Sequence, residues 1–173
     1  AAGGFSPHPL SIAGYESAVV DWIITGFMFI AGANFALQYR AVRGGRASLL
    51  QDEEFRAYAG VVAVAVAALT LFLIGDGLAL ADALRHGAFQ VVSIMTTTGF
   101  ASTDFQLWDA QAKIVLFLLM FVGGCAGSAA GGPKVVRHIL MARYTLRELT
   151  RTLHPRAVLP AKLGGRVFTR NAS

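Results

Sequence analysis

Charged residues and cysteine are both scarce in this sequence. Of its 173 residues only 14% are charged, 55% are hydrophobic and one, Cys125, is a cysteine. A single cysteine excludes an internal disulfide framework. The sequence shows neither a His/Cys/Asp cluster with metal-ligand spacing nor a nucleophile beside a base, so nothing indicates an enzyme. The N-terminus lacks both the basic region of a signal peptide and an initiator methionine, and we therefore expect a fragment of a longer protein.

The positive charge is concentrated in two parts of the chain. All lysines and arginines except Arg85 and Lys113 lie either between residues 40 and 56 or after residue 133. Clustering of basic residues on one side of apolar segments is the positive-inside pattern of membrane proteins. The net charge of +5 therefore indicates membrane topology more than nucleic-acid binding.

The apolar segments differ in length. A bilayer crossing needs about 20 residues, and residues 18–39 and the uncharged residues 57–75 are each close to that length, with a cytoplasmic loop at 46–56. Asn34 is the polar exception in the first crossing, and either hydrogen-bonds a neighbouring helix or lines a pore. Residues 83–95 are apolar but too short to cross, which predicts a re-entrant pore helix surrounded by protein.

A threonine-rich segment follows this short helix. It consists of Thr96, Thr97, Thr98, Gly99 and Phe100. Threonine and glycine present backbone carbonyls without bulk, and rings of carbonyls replace the hydration shell of K⁺ in selectivity filters. We predict one quarter of such a filter, braced by Phe100, although a simple threonine-rich turn has the same composition. Asp104 and Asp109 either concentrate cations at the pore mouth or are solvated loop charges.

A second unusual segment interrupts the next apolar run, residues 114–122. Five of the ten residues 123–132 are glycine, and Pro133 follows. Because glycine costs roughly 1 kcal/mol and proline about 3 kcal/mol in a helix interior, we predict an intramembrane loop that gates a pore. A glycine-rich helix-packing face is the alternative. The predicted gating residues are Gly123, Gly124, Cys125, Ala126, Gly127, Ser128, Gly131 and Gly132. An amphipathic helix is expected over residues 135–153, ended by His154-Pro155.

The chain contains an internal repeat. Gly4-Phe5-Ser6 matches Gly99-Phe100-Ala101, and residues 27–33 match residues 119–125. A filter glycine followed after a similar distance by a similar helix implies a repeating unit of span, pore helix, filter and span. The two copies run in parallel order, which favours a channel-like protein over an ion-coupled secondary transporter with inverted repeats.

Four motifs together resemble the TrkH/KtrB family of potassium-uptake proteins. They are Thr97-Thr98-Gly99-Phe100-Ala101 with Asp104 and Trp108, the glycine-rich residues 121–132, Lys134-Val135-Val136-Arg137, and residues 149–163. The resemblance implies an all-α membrane protein of repeated pore units around a pseudo-fourfold pore, with one broken helix. The implied divisions are residues 1–45 (end of repeat two), 46–56 (loop), 57–145 (repeat three) and 146–173 (cytoplasmic connector).

The resemblance also implies a function. Members of the family carry K⁺ by channel-like permeation across the bacterial inner membrane, as homodimers regulated by a cytoplasmic nucleotide-binding subunit of the TrkA/KtrA type. For this chain it implies K⁺ binding by the carbonyls of Thr97, Thr98 and Gly99, with Gly3 and Gly4 in the filter of the second repeat. Membrane lipid is the expected surrounding, basic loops are expected in the cytoplasm, and neither a cofactor nor nucleic acid is expected.

Overall fold

The computed structural model describes residues 3–44, 51–153, 161–163 and 166–168. Apart from one short hairpin, all regular secondary structure in this part of the chain is helical. The helices are α1 Ala18–Ala31, α2 Phe35–Gly44, α3 Glu53–Gly75, α4 Leu80–Met95, α5 Ala110–Leu119 and α6 Val135–Leu153, with 3₁₀ turns at Ser11–Tyr15 and Phe105–Leu107. The hairpin pairs β1 Ala161–Leu163 with β2 Arg166–Phe168 in antiparallel register. The expected helix stop at His154-Pro155 lies outside the described residues.

Helix α3 is the longest helix in the described ranges and begins earlier than the sequence predicts. Asp52 caps it, since one carboxylate oxygen accepts the Phe55 N–H at 2.8 Å, and such a cap satisfies a donor that the first helical turn leaves free. Residues 53–56 are therefore helical, which corrects the predicted loop boundary. Among the described helices, α3 alone is long and apolar enough to cross a membrane. If the bent pair α1 and α2 is counted as one span, it is a second candidate.

The predicted pore helix is α4, and it packs between α1 and α3. It begins at Leu80, three residues before the predicted start. Phe89, Val91 and Met95 are completely buried, in one core with residues of α1, α3 and α5. A helix with buried residues on every side near its end is surrounded by protein and needs no contact with lipid there. This packing fixes where the residues after Met95 lie.

The predicted continuous crossing at residues 18–39 is wrong. The segment breaks after Ala31, and α1 and α2 meet at an angle of 98°. Gly32 lies at the break because a Cβ there would be 2.4 Å from the Tyr58 hydroxyl oxygen and 2.7 Å from Cγ2 of Thr96. Close approach of this kind is possible only for glycine.

Side chains on α2 satisfy the backbone groups that the break frees. Asn34 Oδ1 accepts hydrogen bonds from the N–H groups of Ala36 (2.9 Å) and Leu37 (3.2 Å). Gln38 Nε2 donates to the Ile30 carbonyl at the end of α1, at 2.6 Å. Asn34 is thus a helix N-cap: among the described residues its side-chain oxygen bonds its own helix and not a neighbouring one, while a pore-lining role stays a prediction.

The second break is the predicted one. Helix α5 ends at Leu119 and α6 begins at Val135, with residues 120–134 non-helical between them. This excludes a continuous glycine-rich packing helix. Both breaks fall within the matching segments, since α1 ends at Ala31 within residues 27–33 and α5 ends at Leu119, the first of residues 119–125. Two helices in the described chain are therefore broken, where one was predicted.

We expect Gly32→Ala to destabilise the fold, because its methyl group would overlap Tyr58 and Thr96 in a buried site. Overpacking of this kind costs about 1–3 kcal/mol. Gly26→Ala is the matched control, since nothing lies within 4 Å of its added methyl group. The check is the thermal unfolding temperature of the full-length protein in detergent: Gly32→Ala should lower it, and Gly26→Ala should leave it unchanged or raise it.

Candidate functional site

The threonine segment, residues 96–100, continues from the last turn of α4 and then turns sharply. The Thr98 N–H donates to the Ser93 carbonyl at 2.9 Å. Thr97 has φ +56° and Gly99 has φ +80°. A β-branched residue with positive φ is an outlier that costs free energy and persists only where the surroundings impose it. The backbone is thus held in a strained conformation at this point.

The hydroxyl groups of Thr96 and Thr98 are both hydrogen-bonded within the protein. Thr96 Oγ1 donates to the Val92 carbonyl at 2.8 Å and lies 2.8 Å from Thr98 Oγ1. Both side chains are buried. Because these hydroxyls bond one another and the helix end, the groups that remain for a ligand are backbone carbonyls.

The outer end of the segment is tied to α4 and to the N-terminal part of the chain. Ser93 Oγ donates to the Phe100 carbonyl at 2.6 Å. The Ala101 N–H donates to Ser11 Oγ at 3.2 Å, and the Ala101 carbonyl accepts from the Ala13 N–H at 3.0 Å. Phe100 is half-buried and packs against the hydrophobic core, as predicted. Its carbonyl already accepts a side-chain hydrogen bond.

The glycines of the two repeats meet beside the segment. The Gly4 N–H donates to the Thr98 carbonyl at 2.6 Å, and Gly4 and Gly99 have φ of +70° and +80°. A Cβ on Gly4 would lie 2.7 Å from the Gly99 carbonyl oxygen. Gly3, the residue before Gly4, also has a positive φ, +122°. Within the described ranges, no backbone N–H donates to the carbonyls of Thr96, Thr97 or Gly99.

The glycine loop, residues 120–134, touches the threonine segment directly. The Gly131 N–H donates to Thr97 Oγ1 at 2.6 Å. A Cβ on Gly131 would be 3.1 Å from the same oxygen, and one on Gly132 would be 3.9 Å from Thr97 Cγ2. The strained residue of the threonine segment is therefore also the one that holds the loop.

The same loop lies on the break between α1 and α2. The Cys125 N–H donates to the Gly32 carbonyl at 2.9 Å, and the Ala129 N–H donates to the Ala31 carbonyl at 3.1 Å. In the other direction, the Gly127 carbonyl accepts the Phe35 N–H at 3.1 Å. The backbone groups freed by one broken helix thus bond those freed by the other, which meets the requirement that buried backbone groups be paired.

Within the loop, glycine is needed where the chain doubles back. Gly123 has φ +70°, and a Cβ there would lie 2.1 Å from the Pro133 carbonyl oxygen. Ser128 Oγ donates to the Cys125 carbonyl at 2.6 Å, and Lys134 Nζ donates to the Ala130 carbonyl. Cys125 is only 1% exposed. It is a buried packing residue, as the sequence predicts.

With this geometry in view, the chain can be compared with known proteins. The family model of TrkH, described as a cation transport protein, matches residues 1–173. The chain belongs to the TrkH family. It is 40% identical over 167 residues to the Trk system potassium uptake protein TrkH of Halomonas elongata, covering 95% of this chain and 34% of that protein. It is 37% identical over 171 residues to TrkH of Escherichia coli K12, covering 97% and 35%.

A solved structure agrees with the fold. The crystal structure of the potassium transporter TrkH from Vibrio parahaemolyticus matches with a TM-score of 0.87 and 37% identity, over 94% of this chain and 36% of that one. The chain spans about a third of the length of the TrkH relatives that it matches. At this identity and TM-score, the two proteins share one helical architecture over the matched residues.

Of the two acidic residues that follow the threonine segment in this TrkH-family chain, Asp104 has a local structural role. Asp104 accepts the Gln106 N–H at 3.0 Å and so caps the turn at Phe105–Leu107. Both Asp104 and Asp109 are exposed. On α4, Arg85 lies 3.7 Å from Asp21 and 2.8 Å from Asp82. Whether the exposed carboxylates attract cations stays a prediction.

The structure brings some of the predicted site residues into one contact region, places the rest of the predicted loop on the break between α1 and α2, and adds residues that the sequence did not indicate. Residues 96–99, Gly4 and the end of the loop at Gly131 form one contact region. Ser93 and Ser11, which fix the outer end of the segment, were missed. Ser93 precedes the predicted filter on the pore helix, but only the packed structure shows that its hydroxyl reaches the Phe100 carbonyl.

We expect Thr97→Val to loosen the glycine loop, because valine keeps the branched shape but leaves the Gly131 N–H without its acceptor. Losing such a partner costs about 1–3 kcal/mol. Amide hydrogen exchange of residues 127–134 in the full-length protein should therefore become faster in Thr97→Val. Thr97→Ser keeps the hydroxyl and should exchange at the original rate. Equal rates in all three proteins would contradict the role of this hydrogen bond.

Proposed function

We propose that this chain is part of the pore-forming subunit of a Trk-type uptake system, in which K⁺ crosses the membrane by channel-like permeation. The observation that carries the proposal is the contact of Gly4 with Gly99, in which glycines of two successive repeats meet with positive φ beside the threonine segment. Filters of this kind are built by repeating units around one axis. The names of the relatives as potassium uptake proteins support the choice of ion.

In this proposal K⁺ is held by backbone carbonyls. Those of Thr97 and Gly99 accept no backbone hydrogen bond within the described ranges, so they are free to replace water around the ion. Thr98 joins them once the Gly4 N–H moves away from its carbonyl. Gly3 and Gly4 supply the corresponding carbonyls of the second repeat. Phe100 supports the outer end of the filter, because its carbonyl is bonded to a serine.

The glycine loop is proposed to control permeation. The loop lies against Thr97, whose carbonyl is proposed to bind the ion, and the Gly131 N–H donates a hydrogen bond to the Thr97 hydroxyl. A non-helical segment at membrane depth has to be buried in protein or line a water-filled cavity. We infer that the loop obstructs the ion path in the observed conformation, and that K⁺ passes when the bond between Gly131 and Thr97 is broken.

The remaining parts of the assembly are inferred from the family. Four repeats around a pseudo-fourfold axis would complete the filter, of which this chain holds the end of one repeat and one entire repeat. A homodimer in the bacterial inner membrane, with α6 and the residues after it in the cytoplasm, fits the placement of the basic residues. A nucleotide-binding regulatory subunit of the TrkA/KtrA type would act from that side.

The proposal predicts that Gly99→Ser in the full-length protein loses cation discrimination. A side chain there would lie 3.0 Å from the Gly4 backbone and would occupy a left-handed conformation. We expect the ratio of rubidium to sodium uptake to fall by about tenfold, the change produced by roughly 1.4 kcal/mol of altered relative binding. The measurement is uptake of both ions by cells that lack their own potassium uptake systems.

Gly77→Ser is the matched control. Gly77 has the same kind of backbone, with φ +91°, but nothing lies within 4 Å of an added Cβ. It should therefore keep the original discrimination while carrying a similar backbone strain. If the correctly inserted protein, supplied with its regulatory subunit, takes up no cations, the proposed function is refuted. An ion-coupled transporter of another solute is then favoured.

A further inference from the structure

Glu54, which lies outside the glycine loop, accepts a hydrogen bond from the backbone of that loop. It is the second residue of α3, in a stretch that the sequence places in a loop. Its carboxylate oxygen Oε1 accepts the N–H of Ala126 at 2.6 Å, and the side chain is half-buried. Ala126 lies in the middle of the loop, 72 positions along the chain from Glu54. A long-range contact of this kind connects the end of a membrane-length helix to the proposed gate.

This bond differs in kind from the other hydrogen bonds of the loop. Within the described ranges, the other loop N–H groups that donate to a different element use neutral oxygens: the Cys125 and Ala129 N–H groups bond carbonyls, and the Gly131 N–H bonds a hydroxyl. A hydrogen bond to an ionised carboxylate is shorter and roughly twice as strong as a neutral one. Glu54 therefore contributes more to holding the loop than any one of these neutral acceptors.

The position of the Glu54 carboxylate is well defined. Asp52 caps α3 immediately before it, through the Phe55 N–H, so the first helical turn is held in place. On the same turn Glu53 forms an ion pair with Arg143 of α6, the helix that follows the loop. Both side chains of this pair are exposed, and an exposed ion pair contributes only about 0–1 kcal/mol, so at the start of α3 the loop itself is held by Glu54.

We propose that Glu54 is a positioning residue that keeps the glycine loop against Thr97 and thereby sets how often the proposed pore is obstructed. The inference rests on the proposed function for its consequence, while the anchoring itself rests on the geometry alone. When the loop leaves, the carboxylate has to exchange the Ala126 N–H for water, and this exchange opposes opening. Removing the carboxylate removes the opposition, so the loop should leave more often.

The test uses the full-length protein and two kinds of variant. Glu54→Ala removes the acceptor, while Glu54→Gln keeps an oxygen acceptor of similar reach without the charge. Glu53→Gln is the matched control, because it removes the same charge at the adjacent position and leaves the Ala126 bond in place. The reporter is Cys125, next to Ala126 and only 1% exposed, whose modification by a small thiol reagent is followed by peptide mass spectrometry.

We expect Cys125 to be modified about tenfold faster in Glu54→Ala, as for the loss of a charge-assisted hydrogen bond, and at an intermediate rate in Glu54→Gln. Glu53→Gln should react at the original rate. In rubidium uptake, Glu54→Ala should raise the maximal rate and leave the concentration for half-maximal uptake unchanged, because the filter is untouched. A mere loss of stability would lower the rate instead.

Three outcomes would overturn the inference. They are an unchanged modification rate in Glu54→Ala, an equal acceleration in Glu53→Gln, which would assign the effect to net charge, and equal acceleration in Glu54→Gln and Glu54→Ala, which would assign it to the charge removed beside the Cys125 thiol. If Glu54→Ala does not fold, as judged by gel filtration, Glu54→Asp takes its place, because it keeps the charge and shortens the reach to the Ala126 N–H. Because thiol modification needs no transport, absence of cation uptake in all proteins would refute the proposed function while leaving the anchoring role to be judged by Cys125.

Discussion

Pairing of backbone groups between two broken helices is the interaction on which the rest of this structure depends. A helix interrupted at membrane depth exposes N–H and C=O groups that lipid cannot satisfy, each at a cost of several kcal/mol. Here the break after α1 and the break after α5 satisfy one another: the Gly32 carbonyl accepts the Cys125 N–H, and the Phe35 N–H reaches the Gly127 carbonyl. Each break depends on the other for hydrogen-bond partners, so the loop after α5 has to pack against the break between α1 and α2.

The threonine segment follows from this packing. Because Gly32 approaches both Tyr58 and Thr96, the break fixes the position of the C-terminal end of α4. That end in turn fixes the position of the strained turn at Thr97. The cost of a positive φ at a threonine, about 1–3 kcal/mol, is offset by the Thr97 hydroxyl bond to Gly131. The strained backbone at Thr97 and the contact that holds the loop therefore belong to the same local structure.

The sequence indicated the fold class, the pore helix, the threonine segment and the long break, because each has a strong local signal: short apolar length, consecutive threonines, and glycines before Pro133. It did not indicate the break at residues 32–34, where only Gly32 and Asn34 interrupt an apolar run. The internal repeat held that information, since residues 27–33 match the residues where α5 breaks. Contacts such as Ser93 with Phe100, or Glu54 with Ala126, depend on tertiary packing and have no signal in local composition.

The two breaks differ in length, and this difference gives them different roles. Residues 32–34 form a short interruption, capped at once by Asn34, and the chain simply bends. Residues 120–134 form a much longer one, in which glycines with positive φ let the chain double back and reach Thr97. A short capped bend has few ways to rearrange, whereas a long loop held by separate hydrogen bonds can leave its position without unfolding either flanking helix. In the proposed function the two breaks therefore have different parts: the short break after α1 is the fixed surface, and the long break after α5 is the movable segment that packs on it.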